Sequence, residues 1–297
     1  MSKPKLTVAV LGPGGVGGLI GALLARAGHR VICLAGEQTV AVLRQDGLRV
    51  DSGQYGAFTT AAEADIKLRE PVDALFVTVK RTALAEALDR TPAEVVGAAM
   101  VVPLLNGIDH LAVLRERFPS GRVVAGTVRV EATRTSPGRI AHTSPFAHLE
   151  LAAPVEEFAE LLRQAGLGVT VREDENAMLW DKLAFLAAFA LLTTRHQADA
   201  GAVRSRHRPE LLAVLNEIAA VARAADAPVT AEGLLSFFDR VPETMKSSMQ
   251  RDADADRPLE LDAIGGAVLR AGAAHGIATP AIARLVAKVA QSAERVA

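Results

Sequence analysis

The sequence predicts an α/β domain built on a parallel sheet, followed by an all-helical domain. From Leu6 to about Val171, short β-branched apolar runs alternate with amphipathic helical segments. These runs are apolar throughout rather than at every second position, which is typical of a parallel sheet covered by helices on both faces. Strand signals end near Glu173, and Ala/Leu-rich helical segments continue from there. We therefore predict one domain at residues 1–172 and a second at residues 173–297.

The individual elements follow from these patterns. The runs predicted as strands of the parallel sheet are LTVAVLG, RVICLA, DALFVTVK, AMVVPLLNG and RVVAGTV. The predicted helical connectors are VGGLIGALLARAG, QTVAVLRQDG and ALAEALDRTPAEVVGA. Residues 128–151, which contain SPGRIAH and AHLELA, predict an appended hairpin. In the second domain, ENAMLWDKLAFLAAFALLTT is apolar nearly all round and predicts a buried helix.

Composition argues against several classes of function. The chain has 33 Lys and Arg against 34 Asp and Glu, for a net charge of −1, so it offers no basic surface to nucleic acid or anionic lipid. No apolar run approaches the ~20 residues of a membrane span. The first strand begins too early to leave room for a signal peptide, and the single cysteine, Cys33, cannot form an internal disulfide or a zinc site. We expect a cytoplasmic protein with no nucleic-acid, membrane or metal partner.

The segment VLGPGGVGG places five glycines between the first predicted strand and the first helix. Gly12, Gly14 and Gly17 match the G-x-G-x-x-G pattern in the setting that it requires. The first glycine permits a tight turn, the second lets a pyrophosphate approach the backbone, and the third lets helix and strand pack closely. The helix N-terminus then offers free N–H groups to the phosphates. The loop, with Gly15 and Val16, predicts a dinucleotide site, and a tight turn in another α/β protein is the alternative.

The end of the second predicted strand bears on which dinucleotide binds. An acidic residue about twenty positions beyond the loop holds the ribose 2′-OH of NAD, whereas a basic residue suits the 2′-phosphate of NADP. Glu37 lies at about that distance from Gly17. It can equally be a solvated charge in the first turn of the next helix, so both readings stay open.

Two lysines, Lys80 and Lys182, lie in apolar segments. Lys182 has Phe185, Leu186 and Phe189 at positions i+3, i+4 and i+7 of the predicted buried helix. Desolvation by such neighbours lowers the pKa of an ammonium group, which makes Lys182 a candidate proton donor near neutral pH. The alternative is a lysine that reaches water past its neighbours.

Two further polar residues are candidate site residues. Glu260 shares its helical stripe with Ala263 and Ile264, although the dipole at a helix N-terminus also accounts for a carboxylate there. Asn106 follows a buried strand at its carboxyl end, where open α/β sheets bind ligands. An ordinary Asn-Gly turn is the alternative for Asn106.

The motifs VLGPGGVGG, VTVK, PLLNGID, SPGRIAH, WDKL, SSM followed by ELDAIGG, and HGIATP stand in the order typical of one family. In them the whole chain resembles the ketopantoate reductase (2-dehydropantoate 2-reductase) family. The resemblance implies a Rossmann-type cofactor domain and reduction of ketopantoate by NADPH in the pantothenate pathway. It implies that Lys182 is the general acid and Glu260 the active-site carboxylate. It also implies that Asn106 and Lys80 lie at the nicotinamide and the cofactor, and Ser248 near the substrate carboxylate.

The chain departs from the family pattern at several positions. Leu186, Ala190 and Met245 stand where the family carries asparagines, and Gly36 stands where it carries an arginine facing the 2′-phosphate. Each lost amide removes hydrogen bonds worth about 0.5–1.5 kcal/mol each, and the pocket becomes more apolar.

The departures leave several functions open. We expect an NAD(P)H-dependent reductase of a 2-oxo acid or related carbonyl, with an atypical substrate pocket. The alternatives are a reductase of a bulkier, more apolar ketone or imine, a non-catalytic dinucleotide-binding paralogue, and an enzyme that works mainly in the oxidative direction. NADP is the expected cofactor, with NAD as the alternative because of Gly36 and Glu37. The oligomeric state is left open, with a homodimer as one alternative.

Overall fold

The computed structural model describes residues 5–118 and 122–294 of the chain. The chain forms two compact units, an α/β unit and a helical unit. The two units are residues 1–105 with 110–175, and residues 106–109 with 176–297. The sequence does not predict the placement of residues 106–109, which lie after a strand of the first unit but group with the second.

The first unit contains all the strands of the described residues. These strands are β1 (Thr7–Leu11), β2 (Arg30–Leu34), β3 (Leu48–Ser52), β4 (Phe58–Thr60), β5 (Glu63–Asp65), β6 (Ala74–Val77), β7 (Met100–Pro103), β8 (Gly126–Ser136), β9 (Arg139–Ala152) and β10 (Gly168–Arg172). Its helices are α1 (Gly15–Arg26), α2 (Glu37–Asp46), α3 (Leu84–Leu88), α4 (Ala93–Val96), α5 (His110–Arg117) and α6 (Glu156–Gln164), with a 3-10 turn at Arg81–Ala83.

The first sheet is five-stranded and parallel, in the order β5-β2-β1-β6-β7. Strands β1, β2, β6 and β7 of this sheet are almost wholly buried, because a parallel sheet between helices has no solvent face, whereas the edge strand β5 is partly exposed. The parallel sheet is therefore confirmed, and so are four of the five strands predicted in it. Cys33 lies inside this sheet on β2, and burial raises the pKa of its thiol to about 12.

The prediction that RVVAGTV forms a fifth strand of the parallel sheet is wrong. In that segment Val123 forms an isolated parallel bridge to Val101. From Gly126 the chain enters a second sheet, in which β8 pairs antiparallel with β9 from Gly126 to Ser136. The long antiparallel register with β9 provides far more hydrogen bonds than one more short edge pairing would.

The second sheet has the order β10-β9-β3-β4, with β8 also paired to β9. The β8–β9 hairpin contains the predicted SPGRIAH turn, and its Gly138 has a φ of 72°. Strands β3, β4 and β5 are absent from the sequence prediction because they are short and partly polar. The two sheets share one apolar core, in which the rings of Phe76 on β6 and Phe158 on α6 stack 6.0 Å apart.

The described residues of the second unit form helices and loops and contain no strand. Its helices are α7 (Glu175–His196), α8 (Ala200–Arg206), α9 (Arg208–Ala224), α10 (Ala231–Arg240), α11 (Ser248–Ala253), α12 (Ala267–Ala274) and α13 (Pro280–Glu294), with a π-helix at Asp262–Gly266. Among the described residues, α7 is the one helix long and apolar enough to cross a membrane by length and composition. It is also 72% buried over its most apolar stretch, as the central helix of a folded core is. This agrees with the predicted buried helix.

A buried carboxylate joins three strands of the second sheet. Glu150 on β9 is 6% exposed. Its Oε2 accepts a hydrogen bond from Arg129 on β8 at 2.9 Å, and its Oε1 accepts one from Arg172 on β10 at 2.8 Å. Thr127 on β8 donates a third, at 3.3 Å. A carboxylate with these partners is compensated for its loss of water.

We expect Glu150→Gln to lower the free energy of unfolding by about 1–2 kcal/mol, because it removes the charge shared by two arginines that keep partial access to water. Urea unfolding followed by circular dichroism measures the change. The exposed Glu116→Gln on α5 is the control and should stay within about 0.5 kcal/mol of the original protein. An equal effect of both substitutions would contradict the structural role of Glu150.

Candidate active site

The glycine loop joins β1 to α1 and is anchored by the end of β6. Gly12 has a φ of +87°, and a Cβ at this position would lie 2.5 Å from Cγ1 of Val79. A Cβ at Gly17 would lie 2.2 Å from Oγ1 of Thr78. The Thr78 hydroxyl contacts the carbonyl oxygens of Leu11 and Gly12, at 3.0 and 2.8 Å. The fold itself therefore requires glycine at positions 12 and 17.

Gly14 differs, because nothing in the chain requires a glycine there. Its φ of −79° is open to other residues, and the nearest atom to an added Cβ, apart from chain neighbours, is 3.9 Å away. Gly14 is the N-cap of α1 and has no side chain to cap the helix. Open space in front of an uncapped helix N-terminus suits an anion. The loop therefore fits the pyrophosphate of a dinucleotide.

Two other glycines of the loop serve packing within the first unit. A Cβ at Gly15 would lie 2.0 Å from the carbonyl oxygen of Ala132 on β8, and one at Gly18 would lie 2.6 Å from Cδ1 of Ile140 on β9. Val16 also packs against the apolar core of this unit. The β8–β9 hairpin thus accounts for Gly15 and Gly18 without a ligand. No local sequence signal indicates this, because the hairpin lies more than a hundred residues further along the chain.

The other predicted cofactor residues of the first unit lie at the carboxyl ends of strands next to β1. Lys80 follows β6, is exposed, and precedes the 3-10 turn at Arg81–Ala83. Gly36 is the N-cap of α2 after β2, and Glu37 is the first residue of α2. Both are exposed. The carboxyl edge of a parallel sheet is where such folds bind dinucleotides.

In the second unit, Asn106 and Glu260 come together although 154 positions separate them in the sequence. The Asn106 side-chain amide donates a hydrogen bond to Oε2 of Glu260 at 3.0 Å. Glu260 is 8% exposed and lies just before the π-helix at Asp262–Gly266. A carboxylate that is nearly removed from water needs such a donor.

Two features place Asn106 beside Glu260. Gly107 has a φ of +81°, and a Cβ there would lie 2.1 Å from the carbonyl oxygen of Ala263, so only glycine lets the two backbones meet. Arg270 on α12 then donates hydrogen bonds to Asp109 and to Asp262, each at 2.6 Å. The Asn-Gly pair is thus both a turn and a close contact. Sequence reasoning missed Arg270, because a charged residue on an exposed helix face carries no distinguishing signal.

Lys182 lies in the second unit, on α7, and is half-buried. Its neighbours Phe185 and Leu186 are also half-buried, and Phe189 is buried. These three side chains pack in or against the helical core, and the surroundings of the Lys182 ammonium group stay a prediction. The placement of its ammonium group opposite the Glu260 carboxylate stays a prediction.

Ser248 is the first residue of α11 and is exposed, and its role near a substrate carboxylate stays a prediction. Its neighbour Ser247 is buried and is the N-cap of α11. The Ser247 hydroxyl pairs with that of Thr193 on α7 at 2.8 Å and accepts a hydrogen bond from the backbone N–H of Gln250 at 3.1 Å. Sequence reasoning missed the structural role of Ser247, because two adjacent serines look alike before the helix start is known.

The three apolar residues at the family's asparagine positions pack within the second unit. Ala190 is fully buried in its core, and Leu186 and Met245 are half-buried against that core. An apolar side chain at these positions is therefore integrated into the packing of the helices.

The fold and the glycine loop together define a dinucleotide-binding protein of the Rossmann class. The family models described as "Ketopantoate reductase PanE/ApbA" and "Ketopantoate reductase PanE/ApbA C terminal" match residues 8–153 and 174–293. The chain therefore belongs to the ketopantoate reductase family. Its cofactor is accordingly a nicotinamide dinucleotide.

Individual relatives agree with the family models. The 2-dehydropantoate 2-reductase of Mycobacterium tuberculosis is 32% identical over 285 residues, which cover 92% of this chain and 93% of the relative. The enzyme of the same name from Caulobacter vibrioides is 29% identical over 286 residues, covering 95% and 97%.

Solved structures share the fold. A PanE/ApbA family ketopantoate reductase from Ralstonia eutropha superimposes with a TM-score of 0.88 at 26% identity, covering 97% of this chain and 99% of that one. A D-mandelate dehydrogenase in ternary complex with NADH and anilino(oxo)acetate gives a TM-score of 0.89, with coverage of 97% and 99%. Its identity is 20%, so this likeness concerns the fold alone.

We expect Gly14→Ala and Gly17→Ala to fail in different ways. Gly14→Ala should keep its stability within about 1 kcal/mol but lose about tenfold or more in dinucleotide affinity, because its methyl group occupies the space for the pyrophosphate. Gly17→Ala should unfold at a clearly lower temperature, because its methyl group collides with Thr78. Thermal unfolding and fluorescence titration with NADPH and NADH measure the two effects. Unchanged affinity in Gly14→Ala would contradict the assignment of the loop.

We expect Asn106→Ala to lower the free energy of unfolding by about 1–2 kcal/mol, because Glu260 loses a hydrogen bond while buried. Asn106→Asp should be more harmful at pH 8, where two carboxylates face each other. Such a pair takes up a proton more readily in the folded state, so the loss should shrink as the pH falls towards about 4–5. Urea unfolding at pH 8 and pH 5 measures this. A pH-independent loss would show that the contact with Glu260 does not matter.

Proposed function

We propose that the protein is an NAD(P)H-dependent reductase of a 2-oxo acid. The observation that carries this proposal is the buried Glu260 carboxylate, held by the Asn106 amide in the same compact unit as the half-buried Lys182. Buried ionisable and amide groups cost free energy unless they are partnered or used. A protein that only bound a dinucleotide would gain nothing by keeping them.

The chemistry assigns each group one task. The bound nicotinamide supplies a hydride to the keto carbon of the substrate. Negative charge then develops on the keto oxygen, where the Lys182 ammonium group stabilises it and donates the proton. Glu260, oriented beforehand through its Oε2 by Asn106, helps to hold the ammonium group and the substrate in place. Ser248 binds the substrate carboxylate.

The family relatives carry the name 2-dehydropantoate 2-reductase, so 2-dehydropantoate is the first substrate to test. Leu186, Ala190 and Met245 favour a second candidate, a bulkier and more apolar 2-oxo compound. These residues offer no amide to a hydroxylated substrate.

The finer proposal for the cofactor is NADPH. The exposed Lys80 at the carboxyl end of β6 supports it by offering a cation to a 2′-phosphate. Glu37, exposed at the start of α2, favours NADH as the alternative. We further propose a cytoplasmic protein whose partner is a small carbonyl compound rather than nucleic acid or membrane, with the homodimer as the assembly to test.

We expect Lys182→Ala to lower kcat/KM for 2-oxo acids by about 10²–10⁴-fold, because the proton donor is lost. Its dinucleotide affinity should stay within about twofold, since the glycine loop lies in the other unit. NADPH and NADH oxidation with 2-dehydropantoate and other 2-oxo acids measures the rate, and fluorescence titration measures affinity. Lys288→Ala, an exposed lysine on α13, is the matched control. Equal rates in Lys182→Ala and in the original protein would overturn the proposal.

A further inference from the structure

Four phenylalanines of the second unit form a cluster that starts one helical turn from Lys182. Phe185 on α7 stacks on Phe189 with ring centroids 5.4 Å apart. It meets Phe237 on α10 edge-on, at 4.6 Å and 89°. Phe238 completes the cluster, 5.9 Å from Phe185 and 6.0 Å from Phe189. The four rings thus form one continuous aromatic cluster, and two of them lie on the same helix as Lys182.

The cluster is closed at one end and open at the other. Phe189 and Phe238 are fully buried, Phe185 is half-buried, and Phe237 is 43% exposed. An exposed ring edge-on to a second, half-exposed ring is an arrangement that a further aromatic ring extends favourably. The open end therefore offers a contact that the chain itself leaves unfilled.

Hydrophobic residues also stand close in the sequence to the three polar candidate residues. Half-buried hydrophobic side chains stand within two residues of Asn106, next to Glu260, one turn from Lys182, and just after α10. These side chains are Ile108, Leu259, Leu186 and Met245, and all pack against the helical core. Methionine and leucine side chains pack well against an aromatic ring but donate no hydrogen bond to a hydroxyl group. Side chains of this kind favour an apolar substrate group over a small hydroxylated acid.

We propose that the substrate of this protein is a 2-oxo acid with an aromatic side chain, whose ring packs against Phe185 and Phe237. The inference rests on the proposed function and names the substrate class of that same site. In the step, the hydride of NAD(P)H bonds to the keto carbon and the C=O π bond opens. The oxygen takes the Lys182 proton, which gives an aromatic 2-hydroxy acid and the oxidised cofactor.

The first experiment compares substrates on the unaltered protein. Phenylpyruvate and benzoylformate are tested against 2-dehydropantoate and pyruvate, with NADPH and with NADH. We expect kcat/KM for the better aromatic acid to exceed that for 2-dehydropantoate by about tenfold or more, because a methylene-sized or larger apolar contact gives discrimination of this order. A kcat/KM for 2-dehydropantoate equal to or above that of both aromatic acids would overturn the inference.

The second experiment removes the open ring. Phe237→Ala should raise KM for the aromatic acid and lower kcat/KM about tenfold, while kcat/KM for pyruvate changes less than about twofold, because pyruvate has no ring to lose a contact. Phe237→Leu, which keeps apolar packing but removes the ring, should fall between the two. Leu212→Ala on α9, a side chain of similar exposure at 39% in the same unit, is the control for folding and for nonspecific loss. Equal losses for pyruvate and the aromatic acid would overturn the assignment of Phe237.

A converse variant tests the neighbouring stripe of α7. Leu186→Asn adds an amide one turn from Lys182 and should shift the ratio of kcat/KM values towards 2-dehydropantoate by about tenfold or more. An unchanged ratio would count against the apolar stripe as a determinant of specificity. If the unaltered protein reduces none of the four acids, the proposed function itself fails. If it reduces them but prefers 2-dehydropantoate, only the aromatic specificity fails.

Discussion

The contact between Gly107 and the carbonyl oxygen of Ala263 sets the geometry of the candidate site. A methyl group at Gly107 would lie 2.1 Å from that oxygen, so any other residue would force the turn away from the π-helix. Moving the turn would move Asn106 with it, and the 3.0 Å hydrogen bond to Glu260 depends on that position. The ion pairs of Arg270 with Asp109 and Asp262 tie the same two segments together from outside. One glycine, together with these ion pairs, thus fixes the environment of a buried carboxylate.

In the glycine loop of the first unit, close contacts within the chain also require glycine, but not at every position. Gly12 and Gly17 are fixed by the chain itself, through Val79 and Thr78 at the end of β6. Gly15 is fixed by the β8–β9 hairpin. Gly14 alone among these four has open space in front of its Cα, so the requirement for glycine there points outside the polypeptide. Gly12, Gly15 and Gly17 therefore shape the loop, whereas Gly14 leaves room for the dinucleotide.

The sequence predicts those features whose physical cause is local. The apolar runs of β1, β2, β6 and β7 indicate the parallel sheet, and the glycine spacing indicates the loop. The all-round apolarity of α7 indicates a central helix. The sequence could not predict that RVVAGTV leaves the parallel sheet. Its partner β9 lies further along the chain, and which of two possible strand pairings forms depends on the tertiary structure. The sequence could not predict the grouping of residues 106–109 with the helices either, since this grouping depends on contacts with Ala263 and Arg270. The roles of Lys80 and Ser248 come from the resemblance to the family, although the apolar context of Lys80 already marks that residue in the sequence.

The discontinuous second unit limits how this chain can be divided. Its largest continuous piece, residues 176–297, lacks residues 106–109, which pack against the π-helix. Expressed by itself, that fragment would expose the backbone of Ala263 and deprive Arg270 of its ion pair with Asp109. Exchange of helical units between relatives would likewise have to carry the Asn-Gly turn along with the helices. A single cut in the chain therefore cannot separate the two units without breaking these contacts.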